Sequence, residues 1–237
     1  MEFIENIERE EYTKFVINHI NSHFLKSYEW GVVSRKRGLT PHYVGLKDKN
    51  KLVATALLLE KKLPLGYKYY YIPRGYTIDY TNKDLLNKLT KEIAAYSKRN
   101  KAIFFRIDPD IKLHTIDENA NVIEGENNYE LVNTLKELGF KHKKLNLYFE
   151  NMQPRFTFRI DLSPSVETLR KNYSKSVNRW IKIADKYGVT TKIGNKDELP
   201  EFVRLMKMTE KRQGFFSHEY SFYESMYDEF KKIDSVS

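Results

Sequence analysis

Cysteine is absent from all 237 residues. That excludes disulfides, and with them any thiolate metal, redox or nucleophilic site. Long apolar runs are also missing. No stretch comes near the roughly 18 apolar residues that a spanning helix needs. The first fifteen residues hold no apolar core of the kind a signal peptide carries. A cytoplasmic chain is the expectation. The phosphate-binding patterns G-x-x-x-x-G-K and G-x-G-x-x-G do not occur, nor do H-E-x-x-H and G-x-S-x-G. The six histidines are scattered. No metal and no cofactor are expected.

Basic residues are plentiful. Lys and Arg number 41 against 32 Asp and Glu, a net charge of +9. A balance of this size suits a polyanionic partner such as nucleic acid, a phosphate-bearing substrate or an anionic membrane face, and it equally suits a Lys-rich surface with no partner. With 17 Tyr and 14 Phe, much of the core is aromatic. The length fits one large domain or two ordinary ones.

The central stretch is 71–110, YIPRGYTIDYTNKDLLNKLTKEIAAYSKRNKAIFFRIDPD. Residues 67–72 read as a strand, followed by a turn at Pro73-Arg74-Gly75. A helix capped at Thr81 or Asn82 puts Leu85, Leu86, Leu89, Ile93 and Ala94 on one face. An apolar strand over 102–107 closes the unit. This is a βαβ pattern with a covered sheet. Upstream, helical patterns run from 8 to 37 with a break near 21–23. Two strands follow, 42–46 and 52–59, with a hairpin turn over 47–50. Residues 111–128 read as a loop, 129–138 as a helix stopped by Gly139, and 145–149 as a strand. A boundary is expected near Asn151–Pro154, giving domains 1–150 and 151–237. The second begins with a strand over 155–162 and a helix from Val166 to about Tyr187. A strand over 189–193 and helices over 198–211 and 220–232 follow. Ile233–Ser237 looks like the opening of a further strand. Two strands are few for so many helices, so the second unit is expected to be incomplete and the chain a piece of a longer protein, inactive alone.

Two groups of residues offer chemistry. Asp108 ends a buried strand, where α/β sheets place ligands. It suits acid/base or orienting work, or else an Asx-type loop cap next to Pro109. Lys171, Lys175, Arg179 and Lys182 fall at i, i+4, i+8 and i+11, a basic stripe that suits either nucleic-acid phosphates or plain solvation.

Several segments carry a family resemblance. They are Ser27-Tyr28-Glu29-Trp30-Gly31, the Ile72–Gly75 turn, the D-x-x-x-x-D-L-L helix from Asp79 to Leu86, and the R-x-D-P end at Arg106–Pro109. The helix pair Thr209–Gly214 and Tyr220–Phe230 completes the set. In order and spacing the chain resembles the FemABX peptidyltransferases, from about Ser22 to Phe230. The resemblance implies GNAT-like α/β units, each a mixed sheet flanked by helices, the first complete. It implies transfer of Gly, Ala or Ser from aminoacyl-tRNA to the stem-peptide amine of lipid II or UDP-MurNAc-pentapeptide. Peripheral contact with the inner membrane face would accompany a lipid-linked acceptor. The family's acceptor pocket implies roles for Asp108 near the amine and for Lys36, with Arg35 as its substitute, on phosphates. Trp30 and Arg74 would form the wall. Arg212 fits the family pattern, while His218 stands where an Arg is frequent and Ser34 where a Lys is. The alternatives are an acyl-CoA-dependent N-acetyltransferase, although the pyrophosphate-binding Q/R-x-x-G-x-G/A loop is absent, and a noncatalytic basic module for RNA or membrane surfaces.

Overall fold

A computed structural model describes residues 1–117, 119, 121–142 and 160–232. The expected strand 145–149, the boundary 151–154, most of the strand 155–162 and the start of one at 233 lie outside them. Residues 1–141 group with the stretch from 195 onward, and 142–194 form a second unit.

The first unit is built on a five-stranded sheet in sequence order. Its strands are β1 (Glu2–Ile4), β2 (Thr40–Asp48), β3 (Lys51–Lys62), β4 (Lys68–Ile72) and β5 (Ala102–Ile107). β1 to β4 pair antiparallel and β4 with β5 pairs parallel. The β2–β3 hairpin closes on Lys49 and Asn50, both with positive φ, the condition that the tight hairpin turns impose. Alternation along the strands sorts residues between two cores. Val44, Leu46, Ala54, Ala56, Leu58, Tyr70 and Ile72 face one core, and Tyr43, Leu57 and Leu59 face the other.

The second of these cores lies under α1 (Arg9–Ile17) and α2 (Tyr28–Arg35). The first is covered by α3 (Lys83–Arg99), the long crossover helix between β4 and β5. Asn82 caps α3 by accepting from Leu85 N–H, and Leu85, Leu86, Leu89, Ile93 and Tyr96 are buried along it. Residues 111–128, expected as a loop, contain a hairpin of β6 (His114–Ile116) and β7 (Val122–Asn127). Their strands are short, and the polar positions hid the alternation. The next helix, α4, spans Tyr129–Glu137.

The long helix expected from Val166 to Tyr187 is two. α5 (Val166–Asn172) ends where Tyr173 turns extended, and Ser174 starts α6 (Lys175–Lys186) by accepting from Val177 N–H. A Ser that can cap competes with helix continuation. Residues 189–193 form no strand and are exposed. α7 (Leu199–Gln213) ends on left-handed Gly214, the usual helix terminator. α8 (Tyr220–Lys231) buries Phe222 and Phe230 in the second core of the first unit. Arg9 fastens this packing, reaching Glu29 at 2.9 Å and Glu229 at 3.3 Å. No helix among the described residues is long and apolar enough to cross a membrane.

Candidate active site

β4 and β5 are the parallel pair, and the loops at their carboxyl ends are where α/β sheets gather ligand-binding groups. Pro73 follows β4 and Gly75 N–H closes the turn onto Ile72 C=O at 3.1 Å. Proline at the second position and positive φ at the third make the type II pattern, in which the third residue is usually Gly. Here it is Arg74, with φ 56°. A side chain in that region costs about 1 kcal/mol or more. Gly75 follows, also left-handed (φ 71°), and a Cβ there would run into Tyr80 Oη and Pro109.

The turn is shaped around Asp108. Arg74 N–H donates to Asp108 Oδ1 at 2.8 Å, and Tyr71 Oη donates to Oδ2 at 2.9 Å. Both carboxylate oxygens are therefore fixed, and each retains acceptor capacity. Burial pushes the Asp108 carboxyl up, against Tyr71, the Arg74 N–H and the charges of Arg74 and Arg106. The Arg74 guanidinium lies 3.7 Å from Asp110, and its Nε is buried with no hydrogen-bond partner. Tyr80 Oη accepts from Tyr76 N–H at 2.7 Å and holds the loop's far side.

A residue that pattern reading missed completes the group. Lys26 is only 2% exposed. Its Nζ donates to Asn21 C=O at 2.9 Å and Tyr76 C=O at 3.0 Å. Burial pushes its amine down to about 8, opposed by the charges of Asp110 and Asp108. A lysine in the run His23–Ser27 gives no periodic signal of burial. Its one clue is its place just before Ser27, whose Oγ caps α2 by accepting from Trp30 N–H at 3.0 Å. Tyr71, a second addition, sits opposite Arg106 in the β4–β5 register.

Of the expected site residues, the structure brings Arg74 and Asp108 together. Trp30 is a core side chain, edge-on to Phe24 and Phe222 at 5.7 and 6.3 Å between ring centroids. Arg35 and Lys36 are exposed at the end of α2. An eight-residue helix is about 12 Å long, so they leave from the end opposite Lys26 and the Asp108 group. His218 packs at a tilt against Phe222, with ring centroids 4.0 Å apart, and burial and the charge of Arg37 hold its imidazole below the usual range. Arg212 is exposed in the last turn of α7. In the second unit, Lys175, Arg179 and Lys182 stand on α6 and line a shallow cleft of about 550 Å³ with Lys186. Lys171 belongs to α5, across the break.

Three comparisons bear on these features. The profile of the FemAB family matches residues 7–236. Lipid II:glycine glycyltransferases of Staphylococcus aureus, from strain bovine RF122 / ET3-1 and strain USA300, are each 30% identical over 226 residues. The match covers 94% of this chain and 51% of those proteins. The chain thus spans about half the length of the curated relatives it matches. The crystal structure of FemX superimposes with a TM-score of 0.84 at 29% identity, covering 98% of this chain and 56% of that one.

Proposed function

The chain belongs to the FemAB family, and from that premise we propose that it takes part in aminoacyl transfer to a peptidoglycan precursor. The acceptor is the stem-peptide amine of lipid II or of UDP-MurNAc-pentapeptide, and the donor is a small amino acid esterified to tRNA. The observation that carries this reading is the Asp108 carboxylate, held by the Tyr71 hydroxyl and the Arg74 N–H at the ends of β4 and β5. A carboxylate fixed at both oxygens orients a primary amine rather than merely attracting it.

The reaction is aminolysis of an activated ester. The amine nitrogen bonds to the carbonyl carbon, the ester C–O bond breaks, and the amine proton ends on the departing ribose oxygen. Such a step needs a positioned neutral amine more than a nucleophilic side chain. Asp108 would receive the acceptor as its ammonium, align it, and pass to solvent the proton whose loss leaves the amine neutral. Arg74, with a buried unpartnered Nε, would take a carboxylate or phosphate oxygen of the same substrate. The α6 cations support tRNA as the donor carrier, since a line of Lys and Arg tracks phosphates without reading sequence. A lipid-linked acceptor would bring the chain to the inner face of the membrane.

Calorimetric titration with UDP-MurNAc-pentapeptide and, separately, acetyl-CoA tests the reading. Saturable binding of the precursor, in roughly the 1 μM to 1 mM range usual for enzyme substrates, is expected, with none for acetyl-CoA. Binding of acetyl-CoA without the precursor would overturn it in favour of an acyl-CoA enzyme.

A further inference from the structure

Lys26 has no task in the transfer step, yet its placement is demanding. It is buried, and its Nζ is bonded to the Tyr76 carbonyl, two residues from the Arg74 N–H that holds Asp108. Its two hydrogen bonds go to backbone carbonyls on separate segments, Asn21 before the α2 cap and Tyr76 in the turn after β4. Tyr12 Oη donates to the Lys26 carbonyl at 3.0 Å and fixes the Lys26 backbone. An ammonium has three N–H donors and an amine has two. Loss of one proton therefore breaks neither bond. The charge on Lys26 can change while the loop stays where it is.

The charged groups around it are His19 just after α1, Arg74 after β4, and Asp108 and Asp110 after β5. The two carboxylates favour its ammonium, while Arg74 and burial oppose it. A second ammonium arriving at Asp108 would tip this balance, because like charges disfavour each other.

We propose that Lys26 is a resident counter-ion of the Asp108 site, a positioning residue that balances the carboxylates until a substrate ammonium takes over that charge and Lys26 releases a proton. The inference rests on the reading of Asp108 as the acceptor-amine site, and it identifies the ligand class as a primary ammonium. The proton balance is simple: Lys26 –NH3⁺ becomes –NH2, and one proton passes to solvent as the ligand ammonium binds. The titration matches the geometry, since burial already brings the Lys26 amine down to about 8.

Two measurements test this, one of which needs no substrate. In the first, NMR follows the titration of the Lys26 side chain in wild type and Asp108→Asn, and of the Asp108 carboxyl in wild type and Lys26→Met. Reciprocal coupling predicts that Asp108→Asn lowers the Lys26 midpoint and Lys26→Met raises that of Asp108, each by roughly half a unit or more. Unmoved midpoints in folded protein would overturn the proposal whatever the substrate is. In the second, precursor binding is titrated near pH 8 in buffers of different ionisation enthalpy. Wild type should release about half a proton per precursor bound, and Lys26→Met none. Lys26→Arg, which keeps its charge, should bind severalfold more weakly than wild type, while Lys26→Met binds at least as well. Equal weakening in both variants would make Lys26 a purely structural residue. Failure of wild type to bind the precursor, with the NMR coupling intact, would overturn only the acceptor assignment.

Discussion

Asp108 holds a charge that the fold disfavours, and this has a measurable sign. Burial raises its carboxyl above the ordinary range, so over that window the folded chain binds more protons than the unfolded one. Its contribution to stability therefore falls as pH rises through the folded value. Asp108→Asn should gain stability relative to wild type as pH rises above the ordinary aspartate value of about 4, followed by thermal unfolding. A constant difference would show that Tyr71 and the Arg74 N–H fully offset the burial. Lys26 has the opposite window. Its amine is lowered to about 8, so above that pH the unfolded chain binds the extra proton and the folded chain gains stability up to the ordinary lysine range. Wild type should gain on Lys26→Met by at most about 1.4 kcal/mol per pH unit there. Asp108 was legible in the sequence because it ends an apolar strand before proline. Lys26 was not, because periodicity assigns lysine to solvent and only the tertiary fold places backbone carbonyls around it.

At the scale of elements, apolar spacing located the helices and strands of the first unit well. It missed the short edge strand β1 and the polar hairpin β6–β7, and it ran α5 and α6 together. The break matters for the basic stripe. Three of its residues share α6 with Lys186, whereas Lys171 sits before the extended Tyr173. Changing Lys175, Arg179 and Lys182 to Glu should weaken tRNA binding and flatten its salt dependence, by about 0.7 to 0.9 slope units for each phosphate no longer neutralised. Lys171→Glu should have a smaller effect. Filter binding across a salt series distinguishes these outcomes, and an unchanged slope in the triple variant would leave the stripe as a solvated face. Ser174→Ala should loosen α6 by about 1 kcal/mol through removal of its cap, seen as faster amide exchange at Val177.

The first unit is closed by packing between residues far apart in sequence. Phe222 and Phe230 of α8 enter a core begun by Ile7 and Tyr12, and Arg9 reaches both Glu29 and Glu229. Glu29 is fully buried, so Arg9→Met leaves its charge without a partner and should cost on the order of 2 kcal/mol or more, read from chemical denaturation. Pattern reading placed α8 but could not reveal what it packs against, since a helix's apolar face does not name its partner. The same limit separated the expected site residues: Arg74 and Asp108 meet because two parallel strands end together, while Lys36 and Arg35 leave from the other end of α2. In the proposed function the Asp108 group receives a primary amine. The most direct test is to compare, by calorimetry, UDP-MurNAc-pentapeptide bearing a free stem-lysine amine with the same compound Nε-acetylated. Wild type should prefer the free amine by about tenfold or more, the worth of one charge-assisted hydrogen bond, and Asp108→Asn should erase that preference. Equal affinity of wild type for both compounds, or a preference that survives in Asp108→Asn, would contradict the account.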